Sequence, residues 1–149
     1  MVTTVGNETT FDKLVTDLIY LERDAIAAYD SSIERLSDTA LSDQVAQFRQ
    51  DHMQHLDVLT EMAAEAGAEA PTEGDAKQML TTGKIAMADL MGDGAILKAM
   101  KTNEDDTVMA YERASQHENA LPKSKAFFEK ALADETRHRE WMDRMSQQV

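Results

Sequence analysis

The sequence predicts an all-α protein built on four long helices, and three observations carry that reading. Only two prolines and six glycines punctuate the 149 residues, too few breakers for the many turns of a sheet protein. Between them, apolar residues recur at three-and-four spacing over four stretches of about 25 residues, the period of a helix with one buried face. At this length the chain, residues 1–149, is expected to form a single domain around one core.

The first helix is expected over about 10–36, with the inward stripe Leu14, Leu18, Glu22, Ala25, Tyr29, Ser32/Ile33 and Leu36. The second, over about 42–66, carries Val45, Phe48, His52, His55, Leu59 and Met62, and Gly67 stands where a C-terminal stop belongs. The third opens near Gly94, spans about 94–118, and carries Leu97, Met100, Glu104, Thr107/Val108, Tyr111 and Ala114. The fourth, 122–146, begins with Pro122, whose missing N–H costs nothing in a first turn, and carries Phe128, Ala131, Glu135, His138, Met142 and Met145.

Short connections make helices one and two, and three and four, antiparallel hairpins. Residues 67–93 separate the hairpins. A helix of this size is ~38 Å long, and the connection can run back along it while holding a short helix near Asp75 to Leu90. This predicts an up-down-down-up bundle with one long crossover; a plain up-and-down bundle with a loose loop is the alternative.

Charge and composition narrow the function. With 15 Lys and Arg against 28 Asp and Glu, a net charge of −13 argues against nucleic acid and anionic membrane surfaces as partners. There is no cysteine, which removes disulfides, thiolate metal sites and cysteine nucleophiles. Charges interrupt every apolar run well before the ~18 residues of a membrane span. Met1 to Thr10 lack a cationic start and apolar stretch, so a cytoplasmic protein is expected.

The chain repeats itself. Shifted by 82, Glu22, Asp24, Ala28 and Tyr29 fall on Glu104, Asp106, Ala110 and Tyr111; shifted by 83, Asp51, His55 and Met62 fall on Asp134, His138 and Met145. Two related hairpins would face each other across an approximate two-fold axis. Glu22, His52, His55, Glu104, Glu135 and His138 all lie mid-helix on inward stripes, so a bundle brings three carboxylates and three imidazoles into one layer. Any one of them alone reads as an ordinary boundary or packed residue. Together, buried and without a cation, they would be a costly defect, and two divalent metal ions would remove it. Glu112, Asp105, Asp106 and Glu129 read as solvated, and His117 as a cation at a helix C-terminus.

Asp134-Glu135-Thr136-Arg137-His138 resembles the Asp-Glu-x-Arg-His form of the ferritin-like di-iron and di-manganese carboxylate proteins. Glu22-x6-Tyr29 and Glu104-x6-Tyr111 resemble the Glu-to-Tyr spacing of bacterioferritins. The likeness spans the four helices and is nearest to small uncharacterised bacterial and archaeal bundles. It implies Glu22 and Glu104 as terminal ligands, Glu135 as a bridge, and His55 and His138 as nitrogen ligands. Asp51 and Asp134 would orient the histidines, and Tyr29 and Tyr111 would bond to carboxylates. His52 departs from the pattern, standing where a second bridging Glu is expected.

The resemblance implies two Fe ions, with Mn or Zn as alternatives, and O2 or peroxide as the reacting partner in a ferroxidase- or peroxidase-type oxidoreductase. A non-catalytic metal-binding or stress-related scaffold is the second reading. Only about three residues follow the fourth helix, so the fifth helix of cage-forming ferritins is not expected, and a small homo-oligomer such as a dimer is.

Overall fold

The computed structural model describes residues 3–72 and 77–149, and among them it contains helices and no strand. Five helices follow in order: α1 (Phe11–Arg35), α2 (Thr39–Glu65), α3 (Lys84–Ala88), α4 (Asp93–Ser115) and α5 (Pro122–Ser146). α1 packs along α2 and α4 along α5, while α1–α4 and α2–α5 contacts join the two pairs.

Local chemistry sets the helix ends. α2 begins ahead of the expected Ser42 because the Asp38 carboxylate accepts the Ala40 N–H, a side-chain cap. Its C-terminus closes through Gly67, at φ 72°, with Ala68 N–H bonding Ala63 O at 2.8 Å and Gly67 N–H bonding Ala64 O at 3.1 Å. This double bond pattern needs a left-handed residue after the cap, which glycine supplies without strain. α4 stops at Ser115, short of the expected 118. His117 therefore lies beyond the helix and is buried. Its Nε2 donates to Glu8 O and its Nδ1 accepts the Asn119 N–H, so it ties the N-terminal segment to the turn that follows α4.

The crossover carries a short helix, α3, within the stretch from Asp75 to Leu90 where one is expected; Asp75 itself lies outside the described residues. Its path is fixed by side chains of the long helices. Asp24 accepts Met79 N–H and Leu80 N–H at 3.1 and 2.9 Å. Asp106 accepts Thr81 N–H and its hydroxyl, both at 2.7 Å, and Thr3 N–H at 3.3 Å. Asp106 is thus buried and fully engaged, against the expectation that it is solvated. At one end of the molecule the Asp93 carboxylate receives Ser37 N–H, Ser37 Oγ–H and Asp38 N–H, locking the α1–α2 turn to the start of α4.

The apolar core divides in two. One cluster gathers Leu14, Leu18 and Leu21 with Leu59, Met62, Tyr111 and Phe128. The other gathers Tyr29, Val45, Phe48, Leu97, Met100 and Met142. On α2, α4 and α5 the polar inward positions fall between the residues of the two clusters, and on α1 Glu22 lies near the end of the first, between Leu21 and Ala25, so a polar layer is enclosed by apolar ones.

Candidate metal centre

The polar layer contains all six of the inward acids and imidazoles. Glu22 comes from α1, His52 and His55 from α2, Glu104 from α4, and Glu135 and His138 from α5. Each is at most 1% exposed. Helical spacing explains the convergence: positions 52 and 55, like 135 and 138, lie three apart and so project from one face of their helix.

Two four-residue groups have ligand atoms close enough for a metal ion. Glu22, His52, His55 and Glu135 form one, and His52, Glu104, Glu135 and His138 the other, with the offered atoms in each within 4.8 Å of one another. Glu135 and His52 belong to both. The Glu135 Oε1 lies 3.1 Å from His55 Nδ1, and its Oε2 lies 3.4 Å from His138 Nδ1.

The histidines differ in how they are held. His55 places Nε2 2.8 Å from Asp134 Oδ2, and His138 places Nε2 2.8 Å from Asp51 Oδ2. Each ring therefore donates outward from Nε2 and turns Nδ1 into the layer. Both Nδ1 atoms, together with Glu135 Oε1, are buried without a hydrogen-bond partner. Buried polar atoms are rarely left unpaired, and a lone pair fixed inward by a carboxylate on the opposite nitrogen is how protein imidazoles are presented to metals. His52 has no such outward partner. Its Nδ1 lies 2.7 Å from Glu22 Oε2 and its Nε2 3.2 Å from Glu104 Oε1, so it spans the two halves.

The tyrosines cross between helices. Tyr29 O–H donates to Glu104 Oε1 at 2.6 Å, and Tyr111 O–H to Glu22 Oε1 at 2.7 Å. Burial and the adjacent Glu104 and Glu22 charges push both phenols well above their usual range, which keeps them donors. Thr107 was not anticipated as a site residue. Fully buried, its hydroxyl lies 2.9 Å from Glu104 Oε2 and 3.1 Å from Glu135 Oε2. The signal was present, because the repeat partner of Thr107 is Ala25, and a hydroxyl replacing a methyl on an inward stripe marks a polar contact. Glu112 and Glu129 are exposed, and Asp105 pairs with Lys101 at 3.0 Å.

Without a metal the layer is held by its own charges. Burial opposes an imidazolium at His55, but Asp134, Glu135 and Glu22 outweigh it and raise its pKa to about 11. Burial is likewise outweighed at His138, which Glu104 and Glu135 raise to about 9. At Glu22 burial is overcome by His52 and His55, which lower the pKa to about 2. Burial and the Glu104 charge push Glu135 upward, so of these two carboxyls it takes a proton first.

The raised histidines stabilise the metal-free fold below their ordinary 6.5 and lose that contribution as pH climbs towards 9 and 11. The depressed Glu22 stabilises it above 4.5 and loses that contribution as pH falls towards 2. A metal must displace the proton at Nδ1, so its apparent affinity should rise steadily between pH 6 and 9, with proton release on binding. Calorimetric titration of Zn(II) in buffers of different ionisation enthalpy measures that release. A proton count of zero would mean that these imidazoles are not the ligands.

No curated protein matches this chain. Among solved structures it resembles the crystal structure of a conserved hypothetical protein, rv2844, from Mycobacterium tuberculosis, with TM-score 0.77 and 19% identity. The alignment covers 93% of this chain and 98% of that one, and at such identity it speaks for the fold alone. The match to a family model over residues 10–117 takes in α1, α2 and α4, well over half of the sequence, and so this chain belongs to the family described as Domain of unknown function (DUF2383).

Proposed function

We propose that this protein is a ferritin-like four-helix bundle, running up-down-down-up, that holds two divalent ions in its polar layer and oxidises Fe(II) or reduces O2 or peroxide there. The topology is supported by the order in which each helix meets the two apolar clusters. α1 and α5 pass from the Leu14 cluster to the Tyr29 cluster, whereas α2 and α4 pass the other way. The crossed Tyr29–Glu104 and Tyr111–Glu22 bonds support the same directions for α1 and α4. Among the described residues no helix is long and apolar enough to cross a membrane. The proposal extends to a cytoplasmic, small homo-oligomer such as a dimer.

The observation that carries the metal assignment is the pair of buried Nδ1 atoms that face the carboxylates of the layer without a directed hydrogen bond, each aimed inward by an aspartate on the opposite nitrogen. In this reading Glu22 and Glu104 are terminal carboxylates oriented by the tyrosines. Glu135 is common to both ions, and His52 adds nitrogen to the Glu22 side. Oxygen and nitrogen donors suit iron or manganese, and the bound ions would supply the redox electrons and an open coordination position for the oxidant.

The test is to add Fe(II) to metal-free protein under air and follow near-ultraviolet absorbance. Oxidation faster than in buffer is expected; a rate equal to buffer removes the catalytic reading. Chelation should also lower the melting temperature, because ions that bind only the native state stabilise it. An unchanged melting curve after verified metal removal removes the metal layer itself. A second reading, a metal-stapled scaffold without catalysis, draws on His52, which leaves the layer one carboxylate short of the four that a neutral two-metal site requires.

A further inference from the structure

The repeat breaks at one more position, on the outside of the layer. Arg137 in α5 corresponds to Gln54 in α2. One helix therefore brings an arginine to the α2–α5 seam where the other brings an uncharged, exposed amide. Arg137 Nη2 lies 3.0 Å from Asp51 Oδ2 and 3.1 Å from Asp134 Oδ1. These are the carboxylates that hold His138 and His55. The guanidinium also sits 5.7 Å over the Phe48 ring, whose own centroid is 4.3 Å from that of His138.

We infer that Arg137 is a positioning residue that latches both halves of the layer at once, holding Asp51 and Asp134 in the orientation that points His138 and His55 inward. This rests on the metal reading above and adds to it a single point of control shared by the two ligand histidines. Two like-charged carboxylates drawn to one seam repel each other, and the guanidinium between them offsets that repulsion while fixing one oxygen of each. The two sides are not equally dependent on it. Beside its histidine, Asp134 has a second cation, Lys130 Nζ at 3.0 Å from Oδ2, whereas among the described residues the one lysine or arginine paired with Asp51 is Arg137. Loss of Arg137 should therefore disturb His138 more than His55, and loss of Lys130 should disturb His55 only.

The experiment follows the imidazole Nε2–H resonances of 15N-labelled protein, metal-free and loaded with Zn(II), and measures Zn(II) affinity by competition with a chromophoric chelator. In the wild type both Nε2–H protons should be protected from exchange with water. In Arg137→Ala both should lose protection, His138 the more, and Zn(II) should bind about tenfold more weakly or worse, the scale typical of losing a ligand's supporting partner. Arg137→Lys should recover part of both effects by restoring a positive charge at the seam, and Lys130→Ala should alter the His55 resonance alone. Arg137 is over half exposed, so the fold is expected to survive, and Arg137→Lys gives a second reading if it does not. Unchanged resonances and affinity in Arg137→Ala would overturn the assignment, as would a change confined to one histidine. Wild-type protein that takes up no Zn(II) would defeat the metal reading instead, and the metal-free resonances would still decide on Arg137.

Discussion

Replacing Glu135 with alanine is expected to weaken both metal positions together, lowering bound metal to a small fraction of the wild-type content. Glu135 is the only carboxylate shared by the two ligand groups. Its two oxygens reach different histidines, Oε1 towards His55 Nδ1 at 3.1 Å and Oε2 towards His138 Nδ1 at 3.4 Å. Without it the Glu22 side keeps one carboxylate and the Glu104 side keeps one, too little charge to hold two dications in a buried layer. Glu22→Ala and Glu104→Ala should each weaken one metal position and resemble each other, since the repeat makes them equivalent. Glu112→Ala, on the exposed face, should remove none. Elemental analysis after gel filtration reads all four, and wild-type metal content retained in Glu135→Ala would refute the shared bridge.

His52→Glu should produce the widest separation between metal-free and metal-loaded stability. In the metal-free wild type, three carboxylates face three imidazoles, and the layer can balance as imidazolium against carboxylate. The neighbouring Glu135, Glu22 and Glu104 charges overcome the burial of His52 and raise its pKa well above normal. The variant has four carboxylates and two imidazoles, so its metal-free layer carries excess negative charge. An uncompensated buried carboxylate costs about 3–5 kcal/mol, roughly 10 °C in melting temperature for a chain of this size. With two dications the balance reverses: three carboxylates leave one positive charge uncompensated, which favours an added anion or a single ion, whereas four carboxylates make the site neutral. Fe(II) stoichiometry should rise towards two and any oxidation should quicken. Thermal denaturation with and without Fe(II) measures the separation. Equal metal content and equal separation in the two proteins would take His52 out of the site.

The helices were legible because their polar interruptions obey the same period as their apolar stripes. Glu22 and His52 occupy inward slots, so their depth could be counted from neighbouring leucines without any structure. Pro122 marked a helix start directly. The crossover was less legible, because residues 77–83 have no period of their own. Their course is set by Asp24, Asp106 and Asn103 on distant helices, and Thr82 exchanges two backbone bonds with Asn103 alone. Asp106 was misread as solvated for the same reason, since a carboxylate buried by a returning loop looks like any other helix-surface acid. His117 was misplaced because nothing near it in sequence announces the N-terminal segment that covers it.

The attachment of that crossover has a consequence for how the chain can change over time. Asp24 and Asp106 are copies of one repeat position, and what they grip is almost wholly main chain: the amides of Met79, Leu80 and Thr81. An acceptor that recognises only an N–H group is indifferent to which side chain follows it. The linker between the hairpins can therefore drift in sequence while it keeps its course, provided the two aspartates persist and no proline removes a gripped amide. Kinship in proteins of this build should be sought in the spacing of Asp24 from Glu22 and of Asp106 from Glu104, two residues in each case, and in the acids and imidazoles of the layer. Overall identity would understate it, since the segment that joins the halves is free to become unrecognisable.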